Sequence, residues 1–140
     1  MTKKYKILVK FIKDLSSETR DTETYLYVRD NISKYQLDIN INSKVIKNKM
    51  IEVATILKFE DNKENKKKSY FEINYSTIVK IEKDITEKKD LEKIILCEVP
   101  TEIYPELEKS FLTLLHNSGY PNVKFEKKVD FEQLYNQRLN

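Results

Sequence analysis

From Tyr5 to Lys13 the side chains alternate, with Tyr5, Ile7, Val9 and Phe11 on one face and Lys6, Leu8, Lys10 and Ile12 on the other. A period of two is that of extended chain, so this segment predicts a strand. Gln36 to Asn42 alternates strictly through Leu37, Ile39 and Ile41. Met50 to Glu60 sets Ile51, Val53, Leu57 and Phe59 against Glu52, Ala54, Ile56 and Lys58, and Tyr70 to Lys80 resumes the pattern through Phe71, Ile73 and Tyr75. Between these two, Glu60 to Lys68 carries no apolar residue beyond its flanks and predicts a hairpin with a solvated tip. Asp14 to Asn31 is polar around Tyr25-Leu26-Tyr27-Val28, which predicts a loop clasped to the body by its aromatics.

From Asp84 the period changes. Leu91, Ile94, Ile95 and Cys97 fit a helical stripe that should end at Val99, because Pro100 disfavours the helical region for the residue before it. Thr101 can then cap a longer helix with Leu107, Phe111, Leu114 and Leu115 as its stripe, stopped by Asn117, Ser118 and Gly119. A short extended Val123-Lys124-Phe125 follows, and Asp130 is placed to cap a terminal helix carrying Phe131, Leu134 and Tyr135. Four strands and then helices predict an α+β fold, a four-stranded antiparallel sheet in one meander with a long helix and shorter helices packed on one face.

With 140 residues, 39% of them hydrophobic, the chain supports one domain over residues 1–140 and one modest core. The 35% charged content leaves few apolar residues to cover every strand face, so a partner subunit is expected. The net charge of +3 comes from 26 basic and 23 acidic residues interleaved along the chain, which reads as a mixed solvated surface. No apolar run approaches a membrane span, and Met1-Thr2-Lys3-Lys4 leads into alternation rather than a secretion-signal core. A cytoplasmic protein without membrane insertion is expected.

The chemistry-bearing residues are sparse. With a single glycine, Gly119, the chain has neither of the glycine-rich loops that cradle phosphates. One cysteine, Cys97, and one histidine, His116, give no metal-ligand spacing and little from which to build a triad. Cys97 reads as a small buried hydrophobe and His116 as a helix-surface or cap-proximal residue. No catalytic constellation, metal or cofactor is expected. Nine tyrosines and six phenylalanines among lysines leave open a module that stacks single-stranded nucleic acid, but most rings fall at inward positions, where they form core.

Four motifs in order resemble the SecB family of protein-export chaperones. They are Lys13-Asp14-Leu15-Ser16-Ser17-Glu18 after the first strand, Tyr70-Phe71-Glu72-Ile73-Asn74-Tyr75 on the fourth, Pro100-Thr101-Glu102-Ile103-Tyr104-Pro105 at the long helix, and Gly119-Tyr120-Pro121 with Val129 to Tyr135. The resemblance implies a homotetramer, a dimer of dimers, that holds unfolded preproteins without ATP and delivers them to the SecA translocation motor. It places Asp14, Glu18, Tyr70 and Glu72 at the SecA contact. For the client it points to a groove between sheet and helical arm, with Ile78, Ile103, Tyr104, Phe111 and Leu114 as lining residues. Departures from the family pattern are Ser76-Thr77, Val99 before Pro100, Glu108 in place of an arginine, and the positive net charge. These leave room for a SecB-like chaperone of another system, such as a toxin-antitoxin pair.

Overall fold

The computed structural model describes residues 4–61, 67–82 and 85–138. The middle of the polar connector, 62–66, and the expected helix start at Asp84 lie outside the described residues. Four strands, β1 (Tyr5–Glu18), β2 (Gln36–Val45), β3 (Met50–Glu60) and β4 (Tyr70–Ile81), form one antiparallel sheet in the order β1-β4-β3-β2. The order is not a full meander. Strands β2, β3 and β4 run as one, but β1 pairs with β4 and not with β2, so β1 and β2 are the two edges.

Strands β3 and β4 obey the alternation read from the sequence, with Ile51, Val53, Leu57, Phe59, Phe71, Ile73, Tyr75 and Val79 buried on the inner face. In β1 the alternation breaks twice. Bulges fall between Ile7 and Val9 and between Ile12 and Asp14, so Leu8 and Lys13 are extra residues and each shifts the parity of the strand beyond it. Val9 and Phe11, expected beside Tyr5 and Ile7, instead lie opposite Ile78 and Ser76 on the outer face, and Ile12 and Leu15 lie opposite Tyr75 and Ile73 on the inner one.

The segment expected to be a loop holds the end of β1 and then a helix, α1 (Thr22–Asn31). Asp21 caps it, accepting from the Thr24 N–H at 2.8 Å, and Val28 packs into the core.

Pro100 does not end a helix. Short α2 (Lys88–Lys93) passes through one π-type turn, Ile94–Glu98, into α3 (Val99–Asn117). The widened turn, in which the Val99 N–H reaches the Ile94 carbonyl, makes room before the proline ring, and Pro100 then occupies a first-turn position that requires no N–H. Thr101 is accordingly inside the helix, and its hydroxyl donates to the Cys97 carbonyl at 2.6 Å instead of capping.

Helix α3 packs across β3 and β4 through Ile103, Leu107, Phe111 and Leu115, all 1% exposed or less. Its end is a Schellman motif: the Tyr120 N–H bonds the Leu115 carbonyl at 3.1 Å and the Gly119 N–H bonds that of His116 at 3.2 Å, with Gly119 at φ +104. Residues 121–130 then run without regular structure, so among the described residues the expected extended Val123-Lys124-Phe125 is not a strand of the sheet. Asp130 caps α4 (Phe131–Arg138), accepting from the Gln133 N–H at 3.0 Å. Cys97 is a buried free thiol, raised in pKa by that burial, and His116 is exposed on the last turn of α3, as expected.

Candidate functional site

Strand β2 is an edge that α3 covers only in part. Its inner residues Leu37, Ile39 and Ile41 are only partly buried, although they continue the core. Facing them are α1, the irregular arm 121–130 and α4. Between these elements runs an open groove of about 1480 Å³, lined by Tyr25, Ile32, Leu37, Val123, Phe125 and Leu134 among others. A smaller hollow of about 260 Å³ continues it along the same strand past Ile39 and Ile41 to Leu96 and Tyr135.

Aromatic packing holds the groove open. Phe125 from the arm packs edge-on to Phe59 at 5.6 Å and stacks near Phe111 at 6.1 Å, while Tyr25 stacks on Tyr120 at 5.3 Å. The Tyr25 hydroxyl donates to the Gly119 carbonyl at 2.7 Å and so ties α1 to the end of α3. Apolar walls, a rim bearing Arg29, Lys124, Lys127, Glu126 and Asp130, and an adjoining edge strand of the sheet suit an extended polypeptide better than a compact small molecule. Among the described residues no group of His, Cys, Asp and Glu could hold a metal.

Of the five residues expected to line a client groove, four gather in the core and none lines the groove along β2. Ile103 and Phe111 are core at 1% and 0% exposure, and Tyr104 is buried against Phe131. Leu114 is partly buried against the same core, whereas Ile78 lies on the opposite, outer face of the sheet. A helical stripe alone could not separate core from groove, because both are apolar. The signal that was available is the strict alternation of Leu37, Ile39 and Ile41, which marks a groove only once β2 is known to be an edge.

The other expected set does assemble. Register puts Glu18 opposite Tyr70, Ser16 opposite Glu72 and Asp14 opposite Asn74, so Asp14, Glu18, Tyr70 and Glu72 share one end of the outer face. The bulge at Lys13 makes this possible by bringing Asp14 to that side. Burial, a hydrogen bond from Tyr70 to Glu72 and the charges of Glu72, Glu60 and Asp14 push the Tyr70 phenol up to about 12. Lys58 approaches Glu72 at 3.4 Å, and the Ser16 hydroxyl donates to Asp14 at 3.2 Å. Nearer the middle of this face, Glu52 accepts from Ser76 at 2.7 Å and from Lys13 at 3.1 Å, and these bonds hold its carboxyl below the usual carboxylate range.

Comparison with known proteins agrees over the whole length. The family model described as preprotein translocase subunit SecB matches residues 1–140. A protein of Pelagibacter ubique with the provisional name protein-export protein SecB is 61% identical over 140 residues, covering 100% of both chains. A protein-export protein SecB of Parvibaculum lavamentivorans is 24% identical over 133 residues, 95% of this chain and 77% of that one. Among solved structures, a SecB-like chaperone of Mycobacterium tuberculosis in complex with a peptide from an antitoxin superposes with a TM-score of 0.62 at 10% identity, covering 89% of this chain and 91% of the other. At that identity the superposition bears on fold alone.

Proposed function

This chain belongs to the SecB family and is a protein-export chaperone, and from that premise we propose that it holds unfolded preproteins along β2, in the cytoplasm, without nucleotide. The observation that carries the reading is the half-covered edge: partly buried Leu37, Ile39 and Ile41 flank the groove and its continuation, on a strand that is an edge of the sheet among the described residues. An unfolded segment laid there covers its apolar side chains on the groove wall and pairs its backbone with β2. Neither contact demands a particular sequence, which is what a holder of many clients requires. Replacing Leu37 and Ile39 by serine should weaken binding of a denatured preprotein at least tenfold. Unchanged binding removes the groove from the account.

We further propose that the chain assembles as a homotetramer, a dimer of dimers, with β1 in its first interface. Leu8, Val9, Phe11, Ile12 and Leu15 are each at least 40% exposed, a concentration of apolar surface on one edge strand that a second copy would cover. Light scattering should give four subunits, and Ile12→Glu with Leu15→Glu should lower that number. The acidic end of the outer face, with Asp14, Glu18, Tyr70 and Glu72, is our proposed contact for SecA. Asp14→Lys with Glu18→Lys should abolish SecA binding and leave client binding intact. No catalytic role is assigned to any residue. The toxin-antitoxin reading, which the departures from the family pattern left open, gains from the comparisons only the partner named for a structure 10% identical to this chain and is not favoured.

A further inference from the structure

Six of the lysines that look evenly interleaved along the sequence are gathered by the fold at one end of the sheet. Register sets Lys6 opposite Lys80, and Lys80 opposite Met50, the residue after Lys49. The Ile81 N–H bonds the Lys49 carbonyl at 3.2 Å, and the Glu82 N–H bonds the Lys4 carbonyl at 3.0 Å. The β2–β3 turn closes the group, with Lys44 and Lys47 beside Asn48 and Lys49, both at φ +62. Lys4, Lys6, Lys44, Lys47, Lys49 and Lys80 are all exposed and come from all four strand ends. Among the described residues, the acids next to them in sequence or register are Glu82 and Glu52, of which Glu52 is held by Ser76 and Lys13. Toward the helices, Glu98 and Glu102 face Tyr5, so the basic surface belongs to the sheet end and its outer face.

At the end of β2, two residues before Lys47 and opposite Ile51, stands Val45, 77% exposed, the most exposed of the large hydrophobic residues named on this surface, on the side of the strand away from Lys44. An apolar side chain flanked by lysines in sequence, at the open end of the sheet, is poorly placed for a protein groove. Among the described residues the exposed aromatics of this face, Phe11 and Tyr70, lie opposite Ser76 and at the far end of β4, not beside these lysines where they could stack a base. A lipid headgroup layer satisfies both features, because lysine stems lie along the interface with their ammonium groups at phosphates while a small hydrophobe enters.

We propose that this end of the sheet docks on anionic phospholipid membrane surfaces, peripherally, through Lys44, Lys47, Lys49, Lys6 and Lys80 with Val45 at the contact. Strand β4 spans 12 residues, and Tyr70 and Glu72 stand at its other end. Docking by the lysine end therefore points the acidic end of the face away from the lipid, toward solution.

The test is flotation of the full chain with vesicles of phosphatidylcholine alone or mixed with phosphatidylglycerol. Binding should appear only with phosphatidylglycerol and fall steeply as salt shortens the screening length. The variant Lys47→Gln, Lys49→Asn, Lys80→Gln, in which asparagine at position 49 tolerates the positive φ and no change falls in β2, should bind roughly a hundredfold more weakly. Its preprotein binding should be unchanged, which separates this proposal from the chaperone reading. Val45→Ser, which leaves every charge in place, should weaken vesicle binding by a smaller factor. If the triple variant misfolds, Lys47→Gln alone should still cost several-fold. Absence of vesicle binding by the parent chain, equal binding by the lysine variants, or retention on single-stranded DNA but not on vesicles would overturn it.

Discussion

Gly119→Ala tests how the groove is held. At φ +104 an alanine is strained, and its Cβ would overlap Tyr25 Cε1 and lie 3.0 Å from Tyr25 Cζ. The backbone strain costs about 1–2 kcal/mol. Tyr25 must also move, losing its bond to the Gly119 carbonyl, worth about 1 kcal/mol, and its stacking on Tyr120, worth roughly 0.5–1.5 kcal/mol. The total is roughly 3 kcal/mol. With a urea slope of about 1–3 kcal/mol per molar, the unfolding midpoint should fall by at least about 1 M, measured at fixed protein concentration because the assembly contributes. In a Tyr25→Ala background the collision is gone, so the same substitution should cost only the backbone part of about 1–2 kcal/mol. Costs that add without coupling would refute the claim that Tyr25 and Gly119 form one latch.

Glu52→Gln should change the pH dependence of stability. The carboxyl titrates lower in the folded chain than in the unfolded one, so its contribution is present above the ordinary carboxylate pKa and is lost as pH falls through the folded value. The gap between parent and variant in urea midpoint should be widest at neutral pH and close in acid; a constant gap contradicts the Ser76 and Lys13 contacts. Cys97, buried and raised in pKa, should react with a thiol reagent only after urea unfolding, and fast labelling of the native chain would show that the π-type turn opens. Phe111→Ala should cost about 3–5 kcal/mol as a core deletion, whereas Leu26→Ala, at an exposed position of α1, should stay within about 0.5 kcal/mol. Equal midpoints for the two would contradict the packing of α3 on the sheet.

How much of the fold was legible in the sequence depends on which interactions are local. Alternation in β3 and β4 could be read because each strand has one deeply buried face. The parity of β1 could not, since a bulge is fixed by pairing with β4 and Leu8 or Lys13 carries no mark of being extra. Helix α1 escaped notice behind polar composition, yet Asp21 three residues before Thr24 and the spacing of Tyr25, Val28 and Ile32 are a cap and a short stripe. Pro100 misled because the rule on its predecessor assumes regular helix geometry, which the π-type turn relaxes. The acidic cluster was named through family likeness, and its geometry depends on the bulge. The groove needed the strand order, and the lysine end needed the register of all four strands.

The central claim is that this chain holds unfolded preproteins without nucleotide, and it is tested most directly by following aggregation of a denatured preprotein with increasing amounts of the purified chain in the absence of ATP. The account predicts suppression that completes near a stoichiometric ratio to the assembled chaperone and is lost in the Leu37→Ser, Ile39→Ser variant. Aggregation that proceeds unchanged in excess chaperone would contradict it.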